Sequence, residues 1–191
     1  MNKSAGQLRI IAGQWRGTKL PVIDHQGLRP TTSRIRETVF NWLQFDIHNA
    51  KVLDLFAGSG SLGFEAASRG AQKVLFIEQD QQAAKQLADN IKRLKADNID
   101  LIQGDALTVL DNHSALPAPA DIVFIDPPFH QQLALKTLAK LATSAALTSQ
   151  SLVYLEVEQQ ARLDLQADWR IIKDKQHGAV RFLLLQRINN L

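Results

Sequence analysis

Apolar and polar positions follow one another along most of this chain in a pattern that predicts strands and helices in turn. From residue 51 onward, short apolar runs are separated by longer amphipathic segments. The predicted strands are Val52–Phe56, Val74–Ile77, Ile99–Gln103, Ile122–Ile125 and Leu152–Val157. Helices are predicted between them, from the glycine-rich turn to Arg69, over Gln81–Lys95 and over Gln132–Ala142. Since parallel strands need crossover connections, the pattern predicts a mostly parallel, doubly wound α/β sheet, a Rossmann-like fold.

The C-terminal part of the chain departs from this alternation. Trp169–Lys173 and Val180–Gln186 are strand-like, and the segment between them is too short for a parallel crossover. We therefore expect an antiparallel hairpin at the edge of the sheet, which brings the number of strands to seven.

The N-terminal 50 residues predict a small basic extension. Gln7–Ile11 and Thr18–Val22 are typical of a β-hairpin, and a helix capped by Thr32 or Ser33 runs to about Asp46. Residues 1–50 carry seven Lys and Arg against three acids, whereas residues 51–191 carry fifteen against sixteen. We expect two regions, an extension over 1–50 and a catalytic domain over 51–191. A basic extension favours a polyanionic partner, although an ordinary solvated surface has the same composition.

Composition narrows the possible chemistry. The chain has no cysteine, so disulfides and thiolate catalysis are excluded, and its five histidines show no metal-ligand spacing. No metal site is expected. No signal peptide or membrane-length apolar run is recognisable, so a cytoplasmic protein is expected.

A glycine-rich turn follows the first predicted strand of the sheet. Gly58, Gly60 and Gly63 match the G-x-G-x-x-G pattern, and Glu78 ends the next strand, where a carboxylate can bind ribose hydroxyls. This pattern alone fits either a nicotinamide dinucleotide or S-adenosylmethionine. Asp54 favours the second, because a carboxylate at this turn would repel a pyrophosphate but attract a sulfonium and an ammonium. A turn or capping role for Asp54 is the alternative.

Two further motifs end predicted strands. Asp105 lies where an adenine amine can be recognised, but it also suits a helix N-cap, and it can fill both roles. Asp126-Pro127-Pro128-Phe129 offers carboxylate and carbonyl acceptors beside an aromatic ring. Such a platform suits a planar base that carries an exocyclic amine, although Asp-Pro-Pro is also an ordinary turn sequence.

Together these motifs resemble a class I S-adenosylmethionine-dependent methyltransferase that acts on amines. Two N-terminal stretches, Arg9-Ile-Ile-Ala-Gly-Gln-Trp-Arg-Gly and Leu28-Arg-Pro-Thr-Thr-Ser-Arg-Ile-Arg-Glu-Thr-Val-Phe-Asn-Trp-Leu, resemble the RsmD family of bacterial small-subunit rRNA guanine-N2 methyltransferases. The C-terminal His177-Gly-Ala-Val-Arg fits the same family. Ser33 is a departure, because an aspartate is expected there, but a helix-capping side chain is retained.

The resemblance implies methylation of the exocyclic N2 of guanine 966 in 16S rRNA, free or within the small subunit or an assembly intermediate, by a monomer. Asp126 and the Pro127 carbonyl would bind the guanine amine of a flipped-out base, and Phe129 would stack on it. The implied cofactor is S-adenosylmethionine, and its predicted contacts are Asp54, Phe56, Gly58, Gly60, Glu78, Asp105 and Ala106.

The same resemblance makes the N-terminal extension an RNA-docking element. The candidate phosphate contacts are Arg9, Arg16, Lys19, Arg34 and Arg36. Trp15 stacks on RNA or packs the hairpin on the core. Three other readings stay open at this point: an exocyclic-amine methyltransferase for DNA or another RNA, a nicotinamide oxidoreductase, and a non-catalytic RNA-binding module.

Overall fold

The computed structural model describes residues 6–23, 33–112, 119–128, 132–163, 165 and 168–188. Its elements, in chain order, are β1 (Gly6–Arg9), β2 (Lys19–Val22), α1 (Ser33–Trp42), β3 (Lys51–Asp54), α2 (Ser61–Ser68), β4 (Lys73–Glu78), α3 (Gln81–Leu94), β5 (Ile99–Gln103), α4 (Ala106–Asp111), β6 (Ala120–Ile125), α5 (Leu133–Thr143), β7 (Leu147–Glu158), β8 (Trp169–His177) and β9 (Val180–Arg187).

A seven-stranded sheet lies at the centre, with strand order β5-β4-β3-β6-β7-β9-β8. Strands β3 to β7 are mutually parallel, and β9 is antiparallel to both of its neighbours. The predicted fold class, a mostly parallel sheet with a C-terminal antiparallel hairpin, is confirmed. The order reverses at β3, whose neighbours are β4 and β6, and ligands of open α/β sheets bind at such a switch point.

Two apolar cores cover the two faces of the sheet. One contains Phe40 of α1, Phe64 of α2 and Leu87 of α3, and the other contains Leu110 of α4 and Leu138 of α5. Continuous apolar strands such as Ile122–Ile125 are buried on both sides, which is why their sequence shows no alternation. We refer below to the α1 face and the α4 face of the sheet.

The hairpin of the N-terminal extension packs on the same face of the sheet as α1. β1 and β2 form a hairpin with Leu8 opposite Leu20, and both side chains belong to the same core as α1. One face of α1 packs on this core, because Ile35 and Val39 are buried and the Trp42 ring stacks on Phe182 at 5.3 Å.

Several boundaries differ from those predicted. β3 ends at Asp54, so Phe56 lies in the turn, and residues 106–111 form helix α4. β8 continues to His177 because its backbone stays paired with β9, although the side chains after Lys173 are polar and exposed. An exposed edge strand needs no apolar alternation, which is the signal that sequence reasoning uses. No described helix is long and apolar enough to cross a membrane.

Candidate active site

Three carboxylates come together where neighbouring strands end. Asp54 is the last residue of β3, Glu78 is the last residue of β4, and Asp126 directly follows β6. Because β4, β3 and β6 are adjacent and parallel, their C-terminal ends share one edge of the sheet. The negative charges of Asp126 and Glu78 both act on Asp54. The sequence motifs that were predicted separately therefore form one acidic site.

Asp54 lies at the centre of this site and is 2% exposed. Its Oδ2 accepts a hydrogen bond from the Gly63 amide at 3.1 Å, so the side chain binds the first turn of α2, as the capping interpretation predicts. Burial raises the pKa of Asp54 to about 8, and the charge of Asp126 adds to the increase. The Asp54 carboxyl is therefore largely neutral at pH 7, and a nearby cation would favour its ionised form.

Glycines in the turn between β3 and α2 are required by geometry. Gly58 and Gly60 have φ of 52° and 77°, a left-handed conformation that side chains disfavour. A Cβ on Gly60 would lie 2.5 Å from Phe64, and a Cβ on Gly63 would lie 2.1 Å from Phe76 of β4. Gly58 and Gly60 thus form the turn, whereas Gly63 lets α2 approach the sheet closely.

Glu78 closes this turn from the neighbouring strand. Its two carboxylate oxygens accept hydrogen bonds from the Gly58 amide at 2.6 Å and the Asp80 amide at 2.7 Å. An ionised carboxylate has about four acceptor positions, so Glu78 keeps the capacity to accept from two ribose hydroxyls. A cleft runs from Gly58 and Ser59 to Val22 and Ile23, so the end of the hairpin borders the glycine turn.

Asp105 caps α4. Its Oδ1 accepts hydrogen bonds from the Thr108 amide and hydroxyl, both at 2.8 Å, so the N-cap interpretation is confirmed. Recognition of adenine by Asp105 stays a prediction. Ala106 is buried in the first turn of α4, and Phe56 packs half-buried against the core on the α4 face. Both residues flank the same edge of the sheet as Asp54.

The predicted amine platform is partly described. Asp126 is half-buried, the Pro127 ring is buried and Pro128 is exposed. Phe129 lies outside the described residues, so its stacking role stays a prediction.

The sequence and fold of this chain are similar to those of known proteins. The family described as Conserved hypothetical protein 95 matches residues 8–186. The chain belongs to this family, which is the RsmD family. It is 45% identical to Ribosomal RNA small subunit methyltransferase D of Haemophilus influenzae, over 95% of this chain and 94% of the relative. The protein of the same name from Escherichia coli K12 is 44% identical, over 97% and 93%.

Solved structures agree. YhhF from Escherichia coli matches with a TM-score of 0.84 and 42% identity, over 95% of this chain and 98% of that one. HI0767 from Haemophilus influenzae matches with a TM-score of 0.82 and 41% identity, over 96% and 100%. SMU.776, complexed with SAH, matches with a TM-score of 0.69 over 89% of this chain and 54% of that one. Since the two sequences are only 16% identical, this match shows a shared fold alone.

In this RsmD-family chain, one predicted RNA contact is buried. Arg36 is only 4% exposed, and its Nη2 donates a hydrogen bond to the Arg9 carbonyl at 3.1 Å. Burial lowers the pKa of Arg36, an effect that the charge of Glu65 opposes. Its side chain joins α1 to the hairpin, and a phosphate contact by Arg36 stays a prediction that this burial does not favour. Val39 and Phe40, three and four positions further along α1, are also buried, so helical spacing was the available signal.

The other basic candidates are exposed, and their contacts with RNA stay predictions. The side chains that are exposed are those of Arg9, Arg16, Lys19 and Arg34. Trp15 is half-buried and packs against the core, and its amide donates a hydrogen bond to Ser68 Oγ at 3.0 Å. Of the two alternatives for Trp15, the structure has the packing one.

Sequence reasoning missed the clamp that holds the hairpin. Glu65 of α2 is fully buried, and its carboxylate accepts hydrogen bonds from the Ile11 amide at 2.8 Å, the Ala12 amide at 3.0 Å and Arg69 Nε at 2.8 Å. A glutamate in an otherwise small and apolar helix, residues 61–68, was the available signal.

A second pair was missed beside the amine platform. Tyr154 and Glu156 of β7 are buried, and the Tyr154 hydroxyl donates a hydrogen bond to Glu156 Oε2 at 2.8 Å. Ile125 of β6 pairs with Leu155 of β7. The residues that follow them, Asp126 and Glu156, are therefore neighbours across the two strands. Burial, followed by the charges of Glu156 and Asp126, raises the pKa of Tyr154. The sequence signal was an acid within the apolar run 152–157.

No group of three or more His, Cys, Asp or Glu able to hold a metal ion occurs among the described residues.

Proposed function

We propose that this protein transfers a methyl group from S-adenosylmethionine to the exocyclic N2 of a guanine in small-subunit rRNA, at position 966 as the family resemblance implies. The observation that carries the proposal is the junction of two half-sites at one edge of the sheet. The glycine turn with Asp54 and Glu78 forms one half, and Asp126 with Pro127 forms the other. Relatives over nearly the whole chain are named as rRNA small subunit methyltransferases.

The residues present fit S-adenosylmethionine better than a dinucleotide. Three carboxylates converge at the turn. Burial raises the pKa of Asp54, and repulsion from Asp126 and Glu78 adds to the increase. A pyrophosphate would increase that repulsion, whereas a sulfonium and an ammonium would relieve it. When bound, this cofactor supplies a methyl group on a positively charged sulfur. Glu78 would hold the ribose hydroxyls, Asp105 the adenine amine, and Asp54 would face the ammonium group.

Asp126 and the Pro127 carbonyl would prepare the nucleophile. Both are acceptors, and together they can take the two N–H groups of an exocyclic amine. Such binding would favour a pyramidal nitrogen whose lone pair points at the methyl group. As the N–C bond forms, the S–C bond of the sulfonium would break and leave a neutral thioether, and Asp126 would accept the proton that the methylated amine loses. Phe129 would stack on the unpaired base. Since the displacement is in line, positioning supplies most of the rate enhancement.

The extension would dock the RNA. Four exposed basic side chains, those of Arg9, Arg16, Lys19 and Arg34, lie on or near the hairpin and α1. The end of the hairpin borders the glycine turn. In this proposal residues 1–50 recognise the rRNA backbone and residues 51–191 catalyse. The protein acts as a monomer in the cytoplasm, on free rRNA or on rRNA within the small subunit or an assembly intermediate.

Asp126→Ala tests the chemistry, and Asp121→Ala is its matched control. Asp121 lies near the start of β6, at the end of the strand opposite to Asp126, and it accepts a hydrogen bond from the Lys51 amide. The substrate is 16S rRNA and small subunits from a strain that lacks this enzyme, and mass spectrometry of nucleosides and fragments detects N2-methylguanine. We expect Asp126→Ala to lower the rate by about 10²-fold or more, with the affinity for S-adenosylmethionine nearly unchanged, and Asp121→Ala to stay active.

Retained methylation in Asp126→Ala would contradict the assigned role. Duplex DNA is assayed in parallel, because a methylated adenine or cytosine there, without a change in rRNA, would favour a DNA methyltransferase instead. Wild-type protein that methylates neither nucleic acid would contradict the whole proposal.

A further inference from the structure

Strand β8 forms a basic edge that the proposed mechanism does not use. All its residues after Trp169 are exposed, whereas most of the facing residues of β9 are buried. In the described part of the chain, β8 pairs with β9 alone. Between Arg170 and His177 it carries four basic or potentially basic side chains and a single acid, Asp174.

The register of the hairpin sorts these charges onto two faces. Cross-strand partners lie on the same face of a sheet. The register pairs Lys173 with Leu184, Lys175 with Phe182 and His177 with Val180. These three β9 residues belong to the core on the α1 face. Lys173, Lys175 and His177, called here the β8 stripe, therefore lie on the face that carries α1 and the N-terminal extension.

The acid of β8 lies on the opposite face. Asp174 pairs with Leu183, which belongs to the core on the α4 face. Its carboxylate binds Arg181 twice, from Nε at 3.1 Å and from Nη2 at 2.7 Å, so its charge is compensated there. Neither Lys173 nor Lys175 has an ion-pair partner among the described residues. Two acids of β7 lie on the same face, across β9. Glu156 is opposite Phe182, the partner of Lys175, and is buried and bonded to Tyr154, whereas Glu158 is opposite Val180 at the His177 end.

The β8 stripe ends at the catalytic edge of the sheet. β8 runs in the same direction as β6 and β7, since both β7 and β8 are antiparallel to β9. His177 therefore lies at the edge where Asp126 follows β6. Trp42 at the end of α1 stacks on Phe182, the cross-strand partner of Lys175, so α1 borders the stripe.

We propose that the β8 stripe binds phosphates of the same rRNA, as a second contact on the side of α1 away from the hairpin. The inference rests on the proposed function. Side chains at alternate strand positions are about 7 Å apart, so the stripe presents a line of positive charge. A line of charge suits a polyanion with one charge per nucleotide better than a single carboxylate.

The test compares two double variants of equal charge. Lys173→Gln with Lys175→Gln removes the two lysines of the stripe. Lys51→Gln with Lys136→Gln is the control, because Lys51 is exposed at the opposite edge of the sheet and Lys136 is exposed on α5, on the α4 face. The affinity for a 16S rRNA transcript is measured over a range of salt concentrations, alongside thermal unfolding and binding of S-adenosylmethionine.

We expect the stripe variant to bind the transcript about 10- to 30-fold more weakly at about 0.15 M salt, and the slope of log K against log salt to fall by about 1.4–1.8. The control should stay close to the wild type. Equal affinities and slopes in the two variants would overturn the inference. So would unchanged binding to the transcript with reduced methylation of assembled subunits, because the partner would then be a ribosomal protein. Failure of the proposed function is distinguished by wild-type protein that binds rRNA but does not methylate it.

Discussion

Binding of S-adenosylmethionine should release a proton from Asp54. In the free protein this carboxyl is buried beside Asp126 and Glu78, and these surroundings raise its pKa to about 8. The ligand carries two positive charges that would favour the ionised form. Binding of S-adenosylmethionine is therefore measured as a function of pH, for the wild type and for Asp54→Asn, which lacks the titrating group. An asparagine oxygen can still accept the hydrogen bond that the Gly63 amide donates to Asp54.

The magnitude follows from the pKa. With a pKa of about 8, roughly nine-tenths of free molecules carry the proton at pH 7. If the bound cofactor lowers the pKa to about 6 or below, binding at pH 7 releases about 0.8 proton or more. The wild-type affinity, divided by that of Asp54→Asn, should then rise about five- to sevenfold per pH unit on average from about pH 6 to about pH 8. The ratio cancels titration of the ligand's own amino group.

Titration calorimetry in two buffers with different ionisation enthalpies measures the release directly. Wild-type heats should differ between the buffers by nearly the full difference in those enthalpies, and the heats of Asp54→Asn should differ much less. Heats that are independent of the buffer would refute the reasoning, and so would an equal proton release by the variant, because Glu78 or Asp126 would then be the source.

The stability of the free protein should change in the opposite sense. Between pH 4 and pH 8 the folded state holds a proton on Asp54 that the unfolded chain has lost. Since the folded state binds more protons, the contribution of this group to the free energy of unfolding falls as pH rises. The upper limit is about 1.4 kcal/mol per pH unit. Urea unfolding of wild type and Asp54→Asn across this range shows the difference in slope.

Two further predictions concern packing around α2, and urea unfolding measures both. Glu65→Ala removes the buried acceptor of two hairpin amides and of Arg69, so it should lower the free energy of unfolding by about 3–5 kcal/mol. The control Glu37→Ala, at an exposed position, should lower it by less than about 0.5 kcal/mol. Equal losses in the two variants would show that the clamp is not stabilising. Gly63→Ala places a Cβ 2.1 Å from Phe76 and should cost about 1–3 kcal/mol, whereas Gly104→Ala meets only ordinary contacts beyond 3.5 Å and should be nearly neutral.

The sheet could be predicted because its strands and helices follow from local patterns of apolar and polar residues. Apolar runs bounded by glycines and acids give parallel strands, and the distance between the last two strands excludes a crossover. The acids at the strand ends could be placed for the same reason, since the C-terminal ends of parallel strands share an edge. The parallel order of β4, β3 and β6 therefore brings Asp54, Glu78 and Asp126 to one edge.

Contacts between distant segments could not be predicted. Glu65 binds amides more than fifty positions away in the chain, and no local pattern records such a pairing. The hydrogen bond from Arg36 to the Arg9 carbonyl could not be predicted for the same reason, because the hairpin lies far upstream in the chain. Asp54 shows the limit within the site itself. Its residue type indicated a charge, but its burial makes it mostly neutral at pH 7 in the free protein.

These unpredicted contacts bear on how the proposed enzyme would place its substrate. Helix α2 begins directly after Gly60 of the cofactor turn, and its later residues Glu65 and Ser68 hold the hairpin. One helix of eight residues thus joins the turn that would bind the methyl donor to the element that would dock the RNA. Because methyl transfer depends on alignment within fractions of an ångström, a rigid connection is more useful here than a flexible basic arm. Loosening the hairpin at Glu65 should therefore lower the methylation rate more than it lowers the affinity for S-adenosylmethionine.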